Sequence, residues 1–312
     1  MVNENFKVLP VKHIGQVLEK AKSDILEGVS TNQAGLKCRW DRINKALLGS
    51  WRFDNVYMLA GASGSGKSYV LNMLHQDFCN EEINSEFKKP FLILHFGFEM
   101  SSSDEVLRTL STLTKKSYAE LLSAHTKLED YENVIRQLDV LRDRQIYYVE
   151  TSGNLNQIYN TIRAFKNKFP NHELVISLDH TLLTEYTDEK SEIQLLAKTA
   201  KMAIDVRKEF KSLNILVSQL NDKIEDPKRI ANKALHFPTK TDVHGSKQMY
   251  WACDYVWVIH RPESLNIEKY GRNMYLTNGL IAMHLIKSRK GVPGLVRLRE
   301  KLSEGQILQW DE

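Results

Sequence analysis

Apolar residues along this chain fall into two kinds of run that alternate. Short unbroken apolar stretches at 56–60, 91–96, 146–149, 174–179, 214–219, 255–259 and 280–286 have the length and the branched or aromatic content of strands buried on both faces. Between them, apolar positions recur every three or four residues. Residues 69–75 carry that spacing, and 103 to about 143 reads as mostly helical, with Val106, Leu107, Leu110 and Leu113 on one face. Leu155, Ile158, Tyr159, Ile162, Phe165 and Phe169 mark a helix closed by Pro170. A long helix over roughly 191–211 would turn Ile193, Leu196, Ala197, Ala200 and Ile204 inward. Strands alternating with helices predict an α/β fold: a mostly parallel sheet with helices on both faces and a β-rich tail.

Three segments stand outside that alternation. Ile14, Val17, Leu18, Ala21, Ile25 and Leu26 recur at helical spacing ahead of Gly28, and polar Ser30-Thr31-Asn32-Gln33 follows as a linker. The expected organisation is an arm with one amphipathic helix over 1–30 and a single α/β domain over 31–312. The stripe of that helix needs cover, from its own domain or from a neighbouring subunit. Trp40, Ile43, Leu47 and Leu48 form a second short helical face, and 221–247 shows no period and reads as a polar, basic-leaning loop.

Between the first strand and its helix lies Gly61-Ala62-Ser63-Gly64-Ser65-Gly66-Lys67-Ser68, which meets G-x-x-x-x-G-K-[ST] at every fixed position. Strand, glycine-rich turn and helix N-terminus together make a phosphate cradle. The glycines let backbone N–H groups converge on phosphate oxygens. Lys67 is expected to reach the β- and γ-phosphates and the Ser68 hydroxyl to ligate Mg²⁺, with Tyr69 closing the nucleotide-binding set. ATP and Mg²⁺ are therefore the expected ligands.

Composition adds limits. A chain of 312 residues, 42% apolar and 26% charged, has material for a sizeable core, and a net charge of +4 does not by itself argue for nucleic acid. Cys38, Cys79 and Cys253 include no pair at metal-ligand spacing, so reduced, mostly buried thiols and no zinc module are expected. With no bilayer-length apolar run and no apolar core near the N-terminus, a cytoplasmic protein without a membrane partner is expected.

Ligands of an open α/β sheet collect at the C-terminal ends of its strands. One apolar strand ends in the glycine-rich turn, and others end at Glu99, Asp179 and Gln219. Asp179 reads as the carboxylate that holds Mg²⁺ through water, Glu99 as the base that polarises the attacking water, and Gln219 as the γ-phosphate sensor. Asp179 is followed by His180 and not by glutamate, which places the base one strand after the phosphate loop, as in the RecA branch.

From about Gly35 to about Arg299 the chain resembles the C-terminal ATPase domain of DnaB-type ring helicases of bacteria and phages. The likeness rests on Gly97-Phe98-Glu99-Met100, on Ser218-Gln219-Leu220-Asn221 and on Lys287-Ser288-Arg289-Lys290-Gly291. It implies that Lys287 and Arg289 reach a neighbouring subunit's nucleotide, the arginine as a finger. It also implies that 221–247 faces a central channel and binds DNA through Lys223, Lys228, Arg229, Lys233, Lys240 and Lys247, Lys228 and Arg229 being favoured. The arm helix matches the family's linker helix, which packs on the adjacent subunit. Two departures stand out: the family's helical N-terminal domain has no counterpart here, and the stretch Ser246-Lys247-Gln248-Met249-Tyr250-Trp251 puts aromatics where the family has acidic and glutamine positions. The expected protein is a compact, ring-forming homo-oligomer: an ATP-dependent helicase or translocase on single-stranded DNA, as a hexamer, of phage or mobile-element type, with a primase or loader as further partner. The alternatives are a RecA-family recombination mediator, loader or assembly switch that does not unwind, and a scaffold that kept the fold.

Overall fold

The computed structural model describes residues 11–30, 34–123, 128–245 and 247–310. The first ten residues of the arm, the predicted linker residues 31–33 and Ser246 lie outside the described residues. Nine strands form one sheet: β1 (Asn55–Gly61), β2 (Phe91–Gly97), β3 (Ile146–Val149), β4 (Glu173–Asp179), β5 (Leu213–Gln219), β6 (Tyr255–His260), β7 (Leu280–Ser288), β8 (Gly294–Lys301) and β9 (Gln306–Gln309). Their spatial order is β9-β8-β7-β6-β1-β5-β4-β2-β3. The six strands from β6 to β3 are parallel, and β7, β8 and β9 add on antiparallel. The helices that matter below are α1 (Ile14–Ser30), α2 (Asp41–Ala46), α3 (Lys67–Phe78), α4 (Ser102–Thr114), α5 (Leu128–Arg142), α6 (Leu155–Lys168), α7 (Glu192–Phe210) and α8 (Lys247–Ala252). Among the described residues no helix is long and apolar enough to cross a membrane.

Alternation along β1 explains why the strands read as unbroken apolar runs. Tyr57 and Leu59 pack on one face with Ile43 of α2 and with Val70, Met73 and Leu74 of α3. Val56, Met58 and Ala60 pack on the other with Ile158 of α6, Leu196 and Ala200 of α7, and Met249 of α8. Both faces are covered, so Val56 to Ala60 reads as an unbroken apolar run. The Trp40 indole N–H donates to the Ile307 carbonyl at 3.0 Å, tying the segment before the phosphate loop to the last strand.

Three expectations shift. In α7 the buried positions are Leu195, Leu196, Thr199, Ala200, Ala203, Val206 and Phe210, while Ile193 lies 58% exposed; the packed stripe is rotated relative to the one the periodicity suggests. In α4 the most buried positions include Glu105, Thr109 and Thr112, and the first two bond across to α3: Asn72 Nδ2 donates to Glu105 Oε2 at 2.9 Å and Gln76 Nε2 to Thr109 Oγ1 at 3.0 Å. A buried polar seam is invisible to an apolar count but is stable once its members are paired. The 221–247 stretch is not shapeless either, holding one helical turn at Pro227–Ala231 flanked by 3₁₀ turns. The arm helix α1 does form, and its apolar residues Ile14, Val17, Leu18 and Ile25 are all exposed, so among the described residues its own domain does not cover the stripe.

Candidate nucleotide site

The strand order brings the predicted groups into a row at one edge of the sheet. Gly61 closes β1 in register with Gln219 of β5 on one side and with Ile259 of β6 on the other. Gly97 pairs with Asp179 at the ends of β2 and β4, which carries Glu99 to the same edge. A cavity of about 320 Å³ there is lined by Ser63 to Tyr69, Glu99, Arg108, His180, Gln219 and Arg261, with Ile281, Glu300 and Ile307 beyond.

Local chemistry explains the shape of the cradle. Gly66 at φ 92° is the N-cap of α3, a conformation that favours glycine, and Gly64 at φ 70° is another. A Cβ on Gly61 would lie 2.8 Å from the Ile259 carbonyl oxygen and against Ser65 Oγ, so only glycine lets the loop turn so closely over the sheet. Lys67 folds back along the loop, its Nζ donating to the carbonyls of Gly61 at 3.0 Å and Ala62 at 2.8 Å. Burial lowers the Lys67 pKa, and the charges of Asp179 and Glu99 oppose that shift. Burial likewise raises the Asp179 carboxyl, against a hydrogen bond from the Ser68 hydroxyl, and Glu99 pushes the same way as burial. Asp179 Oδ1 and Ser65 Oγ are buried with no hydrogen-bond partner among the described residues. An orphaned carboxylate oxygen beside a hydroxyl, near an ammonium, fits a hydrated divalent cation and a phosphate better than it fits a closed core.

Gln219 is half-buried at the cavity, and its carbonyl accepts from the His244 N–H at 3.0 Å. The next residues close the 221–247 loop onto the same strand end: Leu220 bridges Val243, and the Asn221 N–H donates to the Asp242 carbonyl at 2.8 Å. The predicted sensor is thus the first residue of the loop's own neck.

Within the loop, Lys223, Lys228, Lys233 and Lys240 are exposed, and Lys247, also exposed, starts α8. Arg229 differs from them. Its guanidinium pairs with both oxygens of Asp242, at 2.6 and 2.8 Å, and also donates to the carbonyls of Leu235 at 2.8 Å and Phe237 at 2.9 Å. The arginine favoured for DNA from the sequence is engaged in holding the loop together.

Lys287 and Arg289 sit at the opposite end of the sheet. Because β7 runs antiparallel, Met283 pairs with Ile259 near the phosphate loop, while Ser288 pairs with Tyr255 at the start of β6. Six residues separate Lys287 from the cavity-lining Ile281 and eight separate Arg289 from it, about 20 and 26 Å at the usual rise, so neither residue reaches its own cavity. Lys287 Nζ donates to the carbonyls of Tyr250 at 2.7 Å and Trp251 at 3.0 Å, and Arg289 Nε pairs with Asp254 at 3.2 Å. Burial lowers the Lys287 pKa.

Four polar cavity residues, His180, Arg108, Arg261 and Glu300, carry no motif in the sequence. His180 follows Asp179 and signals nothing there beyond the missing glutamate. Arg108 sits 5.8 Å over the Tyr69 ring, and Arg261 donates from Nη1 to the Gly64 carbonyl at 3.2 Å. Neither arginine stands in a spacing that signals a phosphate site; the fold alone brings them there.

The DnaB-like helicase C terminal domain family model matches residues 35–304. Curated relatives named replicative DNA helicase DnaB include one from Buchnera aphidicola subsp. Baizongia pistaciae, 24% identical over 266 residues that cover 85% of this chain and 53% of the relative. Another, from subsp. Acyrthosiphon pisum, is 22% identical over 292 residues, covering 92% and 59%. The chain therefore spans a little over half the length of these relatives. Among solved structures, one described as an ATPase domain superposes with a TM-score of 0.81 at 16% identity, covering 97% of this chain and 100% of that one. A DnaB-like replicative helicase, described together with its interactions with primase, gives 0.80 at 16% identity, covering 97% of this chain and 68% of the other. The row Gly61, Gln219, Asp179 and Glu99 on a RecA-like sheet thus has a family around it: the chain belongs to the DnaB-like helicase C-terminal domain family.

Proposed function

We propose that this chain is an ATP-driven motor of a ring helicase acting on single-stranded DNA, with ATP hydrolysed between subunits. The observation that carries the reading is the division of the catalytic groups. Lys67, Glu99, Asp179 and Gln219 share one strand-end edge, while Lys287 and Arg289 lie about 20 Å or more from the cavity by strand rise, too far to serve the same chain's nucleotide. The loop amides and Lys67 bind the β- and γ-phosphates. Ser68 and Asp179 are the residues that would hold Mg²⁺, which supplies charge neutralisation on the phosphates. Glu99 takes the proton of the attacking water, and Arg289 of the neighbour meets the charge that builds on the γ-phosphate. Lys287 accompanies it from the same strand end. Gln219 senses loss of the phosphate and passes it to the 221–247 loop, whose neck begins at Gln219 itself. The loop's exposed lysines then change their hold on the DNA backbone. The exposed stripe of α1 packs on the adjacent subunit and helps close the ring, for which six subunits are proposed. A primase or loader is the proposed further partner.

Steady-state ATP turnover with and without single-stranded DNA, at low and moderate salt, tests this together with strand displacement on a forked duplex. The expected result is turnover that DNA stimulates, with stimulation fading as salt rises, and displacement of the strand. Turnover indifferent to DNA, without displacement, would move the reading to a mediator or assembly switch. Absence of any turnover would defeat the motor reading.

A further inference from the structure

The cavity beside the phosphate loop has two sides, set by strand order. Glu99, Asp179 and Gln219 come from β2, β4 and β5, all to one side of β1. Arg261, Ile281, Glu300 and Ile307 come from the end of β6 and from β7, β8 and β9, all to the other. If the first side faces the γ-phosphate, the nucleoside extends toward the second. Ile281 and Ile307 are buried beneath that side, so the wall there is backed by the apolar core.

Glu300 is the unexpected wall. A carboxylate lining a cavity for a polyanion repels it unless something neutralises the charge and the carboxylate has a donor to meet. Arg261 neutralises it: the two form an ion pair with side chains only 26% and 18% exposed, and the same guanidinium donates to the Gly64 carbonyl. The carboxylate is therefore positioned relative to the phosphate loop itself. An ionised carboxylate accepts hydrogen bonds and donates none.

The geometry points to Glu300, held by Arg261, as the residue that reads the nucleobase: its carboxylate accepts from the 6-amino group of adenine and repels a carbonyl oxygen in that place. This inference rests on the nucleotide site proposed above. It makes the 6-aminopurine triphosphate the preferred substrate class, against 6-oxopurines, and assigns the choice to a residue outside the phosphate loop.

ATP and inosine triphosphate, which carry an amino group and a carbonyl at that position, separate the possibilities. Their dissociation constants, measured by titration calorimetry with Mg²⁺ on the full chain, do not depend on turnover or unwinding. The wild-type chain should bind ATP about tenfold or more tightly than inosine triphosphate, the scale of one hydrogen bond to a charged group. Glu300→Gln, whose amide both donates and accepts, should bring the two within about threefold, mostly by improving inosine triphosphate. Retained ATP binding shows that the variant is folded. Equal wild-type affinities, or a ratio unchanged in Glu300→Gln, would overturn the assignment while leaving the nucleotide site intact. A Glu300→Gln chain that melts normally and binds neither nucleotide would assign the pair to bracing Gly64, which also overturns it. Failure of the wild-type chain to bind either nucleotide would remove the nucleotide reading along with this one.

Discussion

Single side chains in the site hold their charges at a cost to stability, and Asp179 shows it. Burial raises its pKa, so the native state binds that proton more tightly than the unfolded chain does. Stability then falls as pH rises from the ordinary carboxylate range through the raised value, and the full cost is present above it. Asp179→Asn removes the buried charge and keeps the shape. In Mg²⁺-free buffer at neutral pH its melting temperature should rise, by about 2–4 °C for each kcal/mol relieved in a domain of this order. Its ATP turnover should be lost. A melting temperature that falls would mean that the Ser68–Asp179 hydrogen bond outweighs the desolvation. Lys67→Ala should lose nucleotide binding itself, read by calorimetry, since no other ammonium lines the cavity among the described residues. These residues were legible because motif spacing names them before any fold is known. Arg108, Arg261 and Glu300 were not, because each becomes a cavity wall only when elements distant in sequence are packed together.

One level up, the 221–247 segment combines a fixed neck with exposed lysines. Burial pushes the Asp242 carboxyl up, but the hydrogen bonds and charge of Arg229, with the Thr239 N–H, more than reverse it and leave its pKa lowered. A depressed carboxyl adds stability above its unfolded pKa, and that stability drains as pH falls through the folded value. Removing one partner of such a pair costs about 3–5 kcal/mol when the other is left buried. Arg229→Ala and Asp242→Ala should therefore each lower the melting temperature, and the double variant should cost far less than their sum. Lys228→Ala, by contrast, should leave melting unchanged and flatten the salt dependence of DNA binding by about one phosphate contact. Equal effects of Arg229→Ala and Lys228→Ala on melting would undo the division. The loop's lack of period hid this arrangement, since Arg229 and Asp242 are thirteen positions apart with no repeating pattern between them. Strand and helix existence could be read because long apolar runs fold in only a few ways. The rotated face of α7 and the polar seam of α4 could not, because partners on other elements decide which side turns inward.

Across the full sheet, the chain carries half of each proposed catalytic centre at either end. Neither half is useful alone, and that makes a test that no single-site defect can mimic. Lys67→Ala removes the phosphate side of a chain and leaves its Arg289; Arg289→Ala removes the finger and leaves the phosphate loop. Each variant assembled by itself has no intact junction and should show almost no ATP turnover. Mixed in equal amounts under conditions where subunits exchange, the two give junctions of four kinds. One kind places an intact phosphate loop against an intact finger, so random mixing should restore about a quarter of wild-type turnover per junction. Arg289 acting only within its own fold, through its ion pair with Asp254, predicts something else: the Arg289→Ala chain would be destabilised, and no mixture would recover activity. Recovery near a quarter, from two inactive proteins that both fold normally, requires the arginine to act across the junction. A mixture that stays inactive while the subunits exchange freely would remove the finger from Arg289 and leave the distant end of β7 to hold the sheet alone.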